Sequence, residues 1–183
     1  MVRIKHRYLL VNILYPDDTK STLATNSPLP HTVQFHQPSP DTLTSKLLTR
    51  LLREGLSDYF GDYGAGRAAG SLQVKYFSPA TSTAIIRVAR EHYRLVWAVL
   101  TYLSFLPRPV ERRCVMRIVR VSGTMRKAEE EAIRRARVAI QRATGVAKGE
   151  RNEGVRNADM ADWNGAKGIE DLDDDEEESD DGS

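Results

Sequence analysis

Apolar residues recur along this chain with two periods, and the switches between them outline the elements. Residues 7–15, Arg-Tyr-Leu-Leu-Val-Asn-Ile-Leu-Tyr, are apolar on both alternating faces, which predicts a central strand covered on two sides. Pro16 ends it. Residues 16–41 hold Pro16, Pro28, Pro30, Pro38 and Pro40 among Ser, Thr and Asn, and read as a long exposed loop. Asp41 or Thr42 can cap a helix to about Phe60, where Leu43, Leu47, Leu48, Leu51, Leu52, Leu56 and Tyr59 keep the 3–4 spacing. Gly61 stops it, and a glycine-rich loop over 61–70 is expected to follow.

Residues 71–77 alternate weakly and predict a strand, followed by a Ser78-Pro79-Ala80 turn. Residues 82–89 are a second strand apolar on both faces. A helix is expected from Arg90 to Phe105, ended by Pro107 and Pro109, and a further strand over 112–121. Ser122-Gly123-Thr124 supplies a turn and an N-cap for a last helix over 125–143, with the stripe Ala128, Ala132, Ala136, Ile140 and Ala143. No fold is expected beyond it. The order strand, helix, strand, strand, helix, strand is the split βαβ pattern, so the fold class is α+β, ferredoxin-like, with an added C-terminal helix. Its two central strands are the first and third, which are the two with apolar residues on both faces.

Charge changes the picture. The 183 residues carry 27 basic and 25 acidic side chains, a net of +2. Ten of the acids lie in Ile169–Ser183. Residues 1–168 therefore hold 27 basic against 15 acidic side chains, a net of +12, and a body of that charge predicts a polyanion partner. The one cysteine, Cys114, excludes an internal disulfide and a multi-cysteine zinc site. No apolar run reaches the roughly 18 residues that span a bilayer. The opening Met-Val-Arg-Ile-Lys-His-Arg lacks the pattern of a secretory signal, so a reducing intracellular compartment is expected.

Each candidate site meets a bland counterpart. Gly64-Ala65-Gly66-Arg67-Ala68-Ala69 matches the dinucleotide pattern, but a helix precedes it and a strand follows, the reverse of what a pyrophosphate site needs. It reads as a flexible connection, or as a loop whose free N–H groups, with Arg67, meet an RNA backbone or a partner protein. His6, His31, His36 and His92 have no metal spacing, and no nucleophile, base and orienting acid can be grouped.

The cations point elsewhere. Arg3, Lys5 and Arg7 alternate along one side of an extended segment, beside Tyr8. Lys75 lies on the second strand. Arg87, Arg90 and Arg94 run from the third strand into its helix, and Arg117 and Arg120 lie on the fourth. Arg126 and Lys127 oppose the dipole of the last helix, so with Ser122, Gly123 and Thr124 they predict a phosphate site. The third strand carries no aromatic residue, unlike an RNA-recognition domain, which leaves Tyr8 and Tyr76 as stacking platforms and favours contact with RNA backbone and shape. The second helix is apolar almost all round, so Tyr93, Trp97 and Leu100 are candidates for a protein interface.

Several segments together resemble a known family, the small protein subunits of ribonuclease P and ribonuclease MRP that are fifth in the "processing of precursors" series. They are Met1-Val-Arg-Ile-Lys-His-Arg-Tyr-Leu-Leu10, Phe60-Gly61 with Gly64, Val74-Lys-Tyr-Phe77, Ile85-Ile-Arg-Val88, Tyr93-Arg-Leu-Val-Trp97 and Ser122-Gly-Thr124. Order and spacing agree over residues 1–143, and the acidic end is also similar; the 16–41 insertion departs from the family. The resemblance implies an RNA-binding subunit with a ferredoxin-like core, paired with a larger TIM-barrel-like subunit and set against the catalytic RNA. It implies precursor-tRNA 5′ leader removal and precursor-rRNA cleavage by RNA with Mg2+, no cofactor on the protein itself, and a place in the nucleus and nucleolus. The alternative from another class is a ferredoxin-like protein-interaction module that assembles a complex without touching RNA.

Overall fold

A computed structural model of the chain describes residues 5–16 and 35–147. Arg3, most of the 16–41 loop and the tail after 147 lie outside the described residues. By contacts the chain divides into two units, Met1–Ala132 and Ile133–Ser183.

The first unit holds a four-stranded antiparallel sheet made of β1 (His6–Leu14), β2 (Gln73–Ser78), β3 (Thr83–Ala89) and β6 (Val115–Ser122), in the order β2-β3-β1-β6. The first and third strands are central, as their two-sided apolar pattern predicts, and the fold is ferredoxin-like. Period-2 alternation sorts their side chains. Leu9, Val11 and Ile13 of β1 share one face with Ala84, Ile86 and Val88 of β3, and all six are 0–1 % exposed. That face is buried by α1 (Ser45–Ala69) and α2 (Tyr93–Tyr102), which pack on each other and on β2, β3 and β6. The opposite face carries Tyr8 and Leu10, opposite Arg87 and Ile85. Here the first two turns of α3 (Met125–Ala147) close over the sheet: Ala128 packs with Leu10 and Ile85, flanked by Met125, Ala132, Tyr8 and Val119. The ends of Ala128 and Glu131 are buried, whereas Ala136 and Ile140 are exposed, so the expected stripe does not continue as a buried one.

Several boundaries differ from expectation: α2 runs Tyr93–Tyr102 rather than from Arg90 to Phe105, the strand expected over 112–121 is interrupted at Cys114, and the last helix continues to Ala147. Thr44 caps α1, its Oγ1 accepting from Leu47 N at 3.2 Å, so the helix starts at Ser45 rather than at Asp41 or Thr42. The glycine-rich stretch is helical: α1 breaks at Gly61 (φ 59°, ψ −158°) and resumes to Ala69. Gly64 serves close packing there, since a Cβ would lie 2.4 Å from Phe60 Cβ, and the alanines around it favour helix. The segment after α2 forms a short hairpin, β4 (Phe105–Leu106) with β5 (Arg112–Arg113).

The end of the proline-rich segment is anchored by buried polar groups. Tyr15 OH donates to Ser39 Oγ at 2.7 Å, Ser39 to Ser82 Oγ at 3.0 Å, and Ser82 to Gln37 O at 2.8 Å. Arg112 lies 4.1 Å over the Tyr15 ring and donates to Gln37 Oε1 at 2.8 Å.

Candidate nucleic-acid interface

Strand direction collects at one end of the sheet most of the cations that the sequence scatters. β1 starts at that end, and β3 and β6 finish there. Tyr8 stands opposite both Arg87 and Ser122, and Arg87 stands opposite Gln73 at the start of β2. Arg90 N donates to Lys5 O at 3.0 Å, joining the end of β3 to the start of β1. Arg94 opens α2 from the same corner, its Nε 3.5 Å from the hydroxyl of Tyr93. Arg67 lies in the last turn of α1, just before β2, with its guanidinium 5.4 Å over the Tyr63 ring. Arg126 and Lys127 begin α3 directly after β6. Lys5, Arg67, Arg94, Arg126 and Lys127 are exposed, so this end presents a basic rim.

Not every candidate is available for contact. Arg7 shares the face of Leu9 and is 6 % exposed. Its Nη1 lies 3.1 Å from where a Cβ on Gly123 would stand, so glycine at 123 is what admits the guanidinium beneath the turn. Period-2 alternation from Leu9 carries that burial signal. Ser122 is also buried, its Oγ donating to Thr124 O at 2.9 Å. Thr124 Oγ1 accepts from Lys127 N at 3.4 Å, a long capping contact. Arg120 stands apart from the rim: it pairs with the buried Glu131 of α3 at 3.7 Å and helps hold that helix to the sheet. Arg126 pairs with Glu130 at 2.9 Å, an exposed i,i+4 contact of a kind worth only a few tenths of a kcal/mol and open to displacement by phosphate. Lys75 is exposed at a register shift in β2, and Tyr76 beside it is 47 % exposed.

The protein-interface candidates shift along their helix. Leu100 is fully buried and belongs to the core, which corrects its assignment to an interface; Tyr93 and Trp97 are partly buried. Tyr59, Tyr63, Tyr102 and Phe105 are exposed as well as Phe35 and Tyr76, and sequence reasoning assigned the first four no interface role. Tyr59 and Tyr102 meet across the two helices at 5.4 Å between centroids. Helices α1 and α2 approach closely because position 55 is glycine: a Cβ there would lie 2.7 Å from Val99 Cγ1.

Among the described residues no three His, Cys, Asp or Glu side chains group as metal ligands, and no described helix is long and apolar enough to cross a membrane. Burial pushes the Cys114 thiol up to about 12, so it is no nucleophile at neutral pH.

The sequence matches the family model described as Rpp14/Pop5 family over residues 7–133. The chain is 44 % identical over 140 residues to the ribonuclease P/MRP protein subunit POP5 of Schizosaccharomyces pombe, covering 74 % of this chain and 88 % of that protein. It is 37 % identical over 135 residues to the subunit of the same name from Saccharomyces cerevisiae (74 % and 77 % covered). The Homo sapiens subunit of that name is 28 % identical over 131 residues (71 % and 69 %). A chain from a cryo-EM structure of yeast ribonuclease MRP superposes with a TM-score of 0.42 at 12 % identity, covering 75 % of this chain and 98 % of that one; at that distance it bears no weight.

Proposed function

The chain belongs to the Rpp14/Pop5 family, and from that premise we propose that it is an RNA-binding protein subunit of a ribonuclease P/MRP particle. The observation that carries the RNA contact is the gathering of Lys5, Arg67, Arg90, Arg94, Arg126 and Lys127 at one end of the sheet in a body of net +12. Such a rim neutralises phosphates and releases their counterions, which favours binding to folded RNA without reading its sequence. Its work is to screen repulsion between RNA segments brought close together. The subunit is not catalytic. Cleavage of precursor tRNA at the 5′ leader, and of precursor rRNA, is assigned to the RNA with Mg2+, in the nucleus and nucleolus. The exposed Tyr59–Tyr102 pair is assigned to a protein partner, the larger TIM-barrel-like subunit: exposed tyrosines are typical interface anchors, and Asp58 and Asp62 near Tyr59 in the sequence disfavour phosphate.

The test is a gel shift of the full chain on ribonuclease P RNA at increasing salt, with precursor tRNA cleavage by the protein alone as its companion. Affinity should fall linearly on a log–log plot, and the protein alone should leave precursor tRNA intact. Salt-independent affinity, or specific cleavage by RNA-free protein that one point mutation abolishes, would overturn the reading.

A further inference from the structure

Arg87 is a cation that its surroundings leave unanswered. It occupies β3 between Tyr8 of β1 and Gln73 of β2, with Ile85 and Ala89 on the same face of its own strand. Its Nε is shut off from solvent and has no acceptor among the described residues. Glu131, the buried acid of the helix over this face, is paired with Arg120 instead. A guanidinium donor removed from water without an acceptor is unfavourable, so the position is better suited to a state in which an anion completes it.

The half of the sheet beside Arg87 is also the half that the first two turns of α3 leave open. The helix closes over Leu10, Ile85, Tyr8 and Val119. Tyr76 stands opposite Ile85 on the neighbouring edge strand and remains 47 % exposed. It is therefore the diagonal neighbour of Arg87 across the register shift, within reach of long side chains. That spacing places an aromatic face and a cation as the base and phosphate of one nucleotide are placed. Lys75, exposed at the register shift next to Tyr76, adds a second cation.

The geometry points to a single-nucleotide site on the open half of the sheet, with an unpaired base stacked on Tyr76 and its phosphate held by Arg87. This rests on the RNA-binding reading and narrows it: a duplex offers no free base face, so the site selects unpaired RNA, whereas the basic rim accepts any backbone.

The probes are a 12-nucleotide uridine oligomer and a 12-base-pair RNA duplex, measured by fluorescence anisotropy with the full chain. Tyr76→Ala should weaken oligomer binding about 5- to 100-fold and leave duplex binding unchanged, with Tyr76→Phe restoring the oligomer. Arg87→Met should lower the salt slope on the oligomer by about 0.7, the loss of one single-strand phosphate contact. The same variant should melt at a higher temperature without RNA, because the unaccepted donor is gone. Folded Tyr76→Ala and Arg87→Met proteins that bind the oligomer as wild type does, or an Arg87→Met protein that melts lower, would overturn the site. If duplex binding then still depends on Arg126 and Lys127, the rim reading stands without it. A wild-type chain that binds neither probe overturns both.

Discussion

Cys114 follows β5, 1 % exposed, its N donating to Ser104 O at 3.0 Å. Burial lifts its thiol from 9.0 to about 12. Between those values the folded chain keeps a proton that the unfolded chain releases. The stabilisation is complete below pH 9 and is lost as pH rises toward 12, by up to about 1.4 kcal/mol per pH unit. Tyr15, also raised by burial, adds to the loss above pH 10. Urea midpoints should therefore fall between pH 9 and 10 in wild type and stay nearly level in Cys114→Ala; parallel pH curves would refute the assignment. The burial of Cys114 is only weakly legible in the sequence, because it follows two arginines that belong to a two-residue strand. Arg7 was more legible than it looked: its alternation with Leu9, Val11 and Ile13 marks the buried face, and the cluster of early cations hides that signal. The partnerless Nε of Arg87 has no sequence signature, since it depends on which acids the folded chain brings near.

The strands and helices were legible where a period runs for several residues. β1 and β3 show apolar residues on both faces because both are covered, by α1 and α2 on one side and by α3 on the other. β4 and β5 were not legible, because two-residue strands hold no period. The helical stretch after Gly61 was missed because Gly64 and Gly66 resemble a loop, although Gly64 is set by the approach of Phe60. Gly61 and Gly66 should respond with opposite signs. Gly61 combines φ 59° with ψ −158°, a region reserved for glycine, so Gly61→Ala should destabilise by about 1–3 kcal/mol. At Gly66 a Cβ meets nothing within 4 Å, so Gly66→Ala should stabilise by up to about 1 kcal/mol through helix propensity. Thermal melts of the two variants decide this, and a shift of the same sign in both would contradict the kink.

Across the whole molecule, the charge imbalance was legible but its location was not. Only strand direction brings residues 5, 67, 90, 94, 126 and 127 to one end. Replacing Arg126 and Lys127 with glutamine removes two cations that oppose the helix dipole and one exposed pair with Glu130, effects of a few tenths of a kcal/mol to about 1 that offset each other. Melting should stay within a degree or two of wild type, while the salt slope on ribonuclease P RNA becomes shallower by roughly one to two units. An unchanged slope in the folded variant would remove the α3 turn from the interface. Ile169–Ser183 carries ten acids against the +12 body and is expected to compete with RNA for it. Deleting those residues should tighten RNA binding at low salt, with the gain fading near 0.15 M, where screening acts beyond about 8 Å. Equal affinities at low salt would reject this competition.

The central position of β1 also sets a timetable. Tyr8 pairs with Arg87 on one side and Ser122 on the other, so β1 waits for partners that follow it in the chain, β3 first and β6 last. At roughly 5–20 residues per second, the stretch from the end of β1 to the start of β3 takes about 3–14 s to synthesise. Throughout that interval a nine-residue strand with two apolar faces has no neighbour of its own. Lys5 and Arg7 at its leading edge are the kind of flanking charge that discourages such segments from joining one another between chains. The cations at the start of β1 thus guard the nascent chain before there is any RNA for the finished rim to meet.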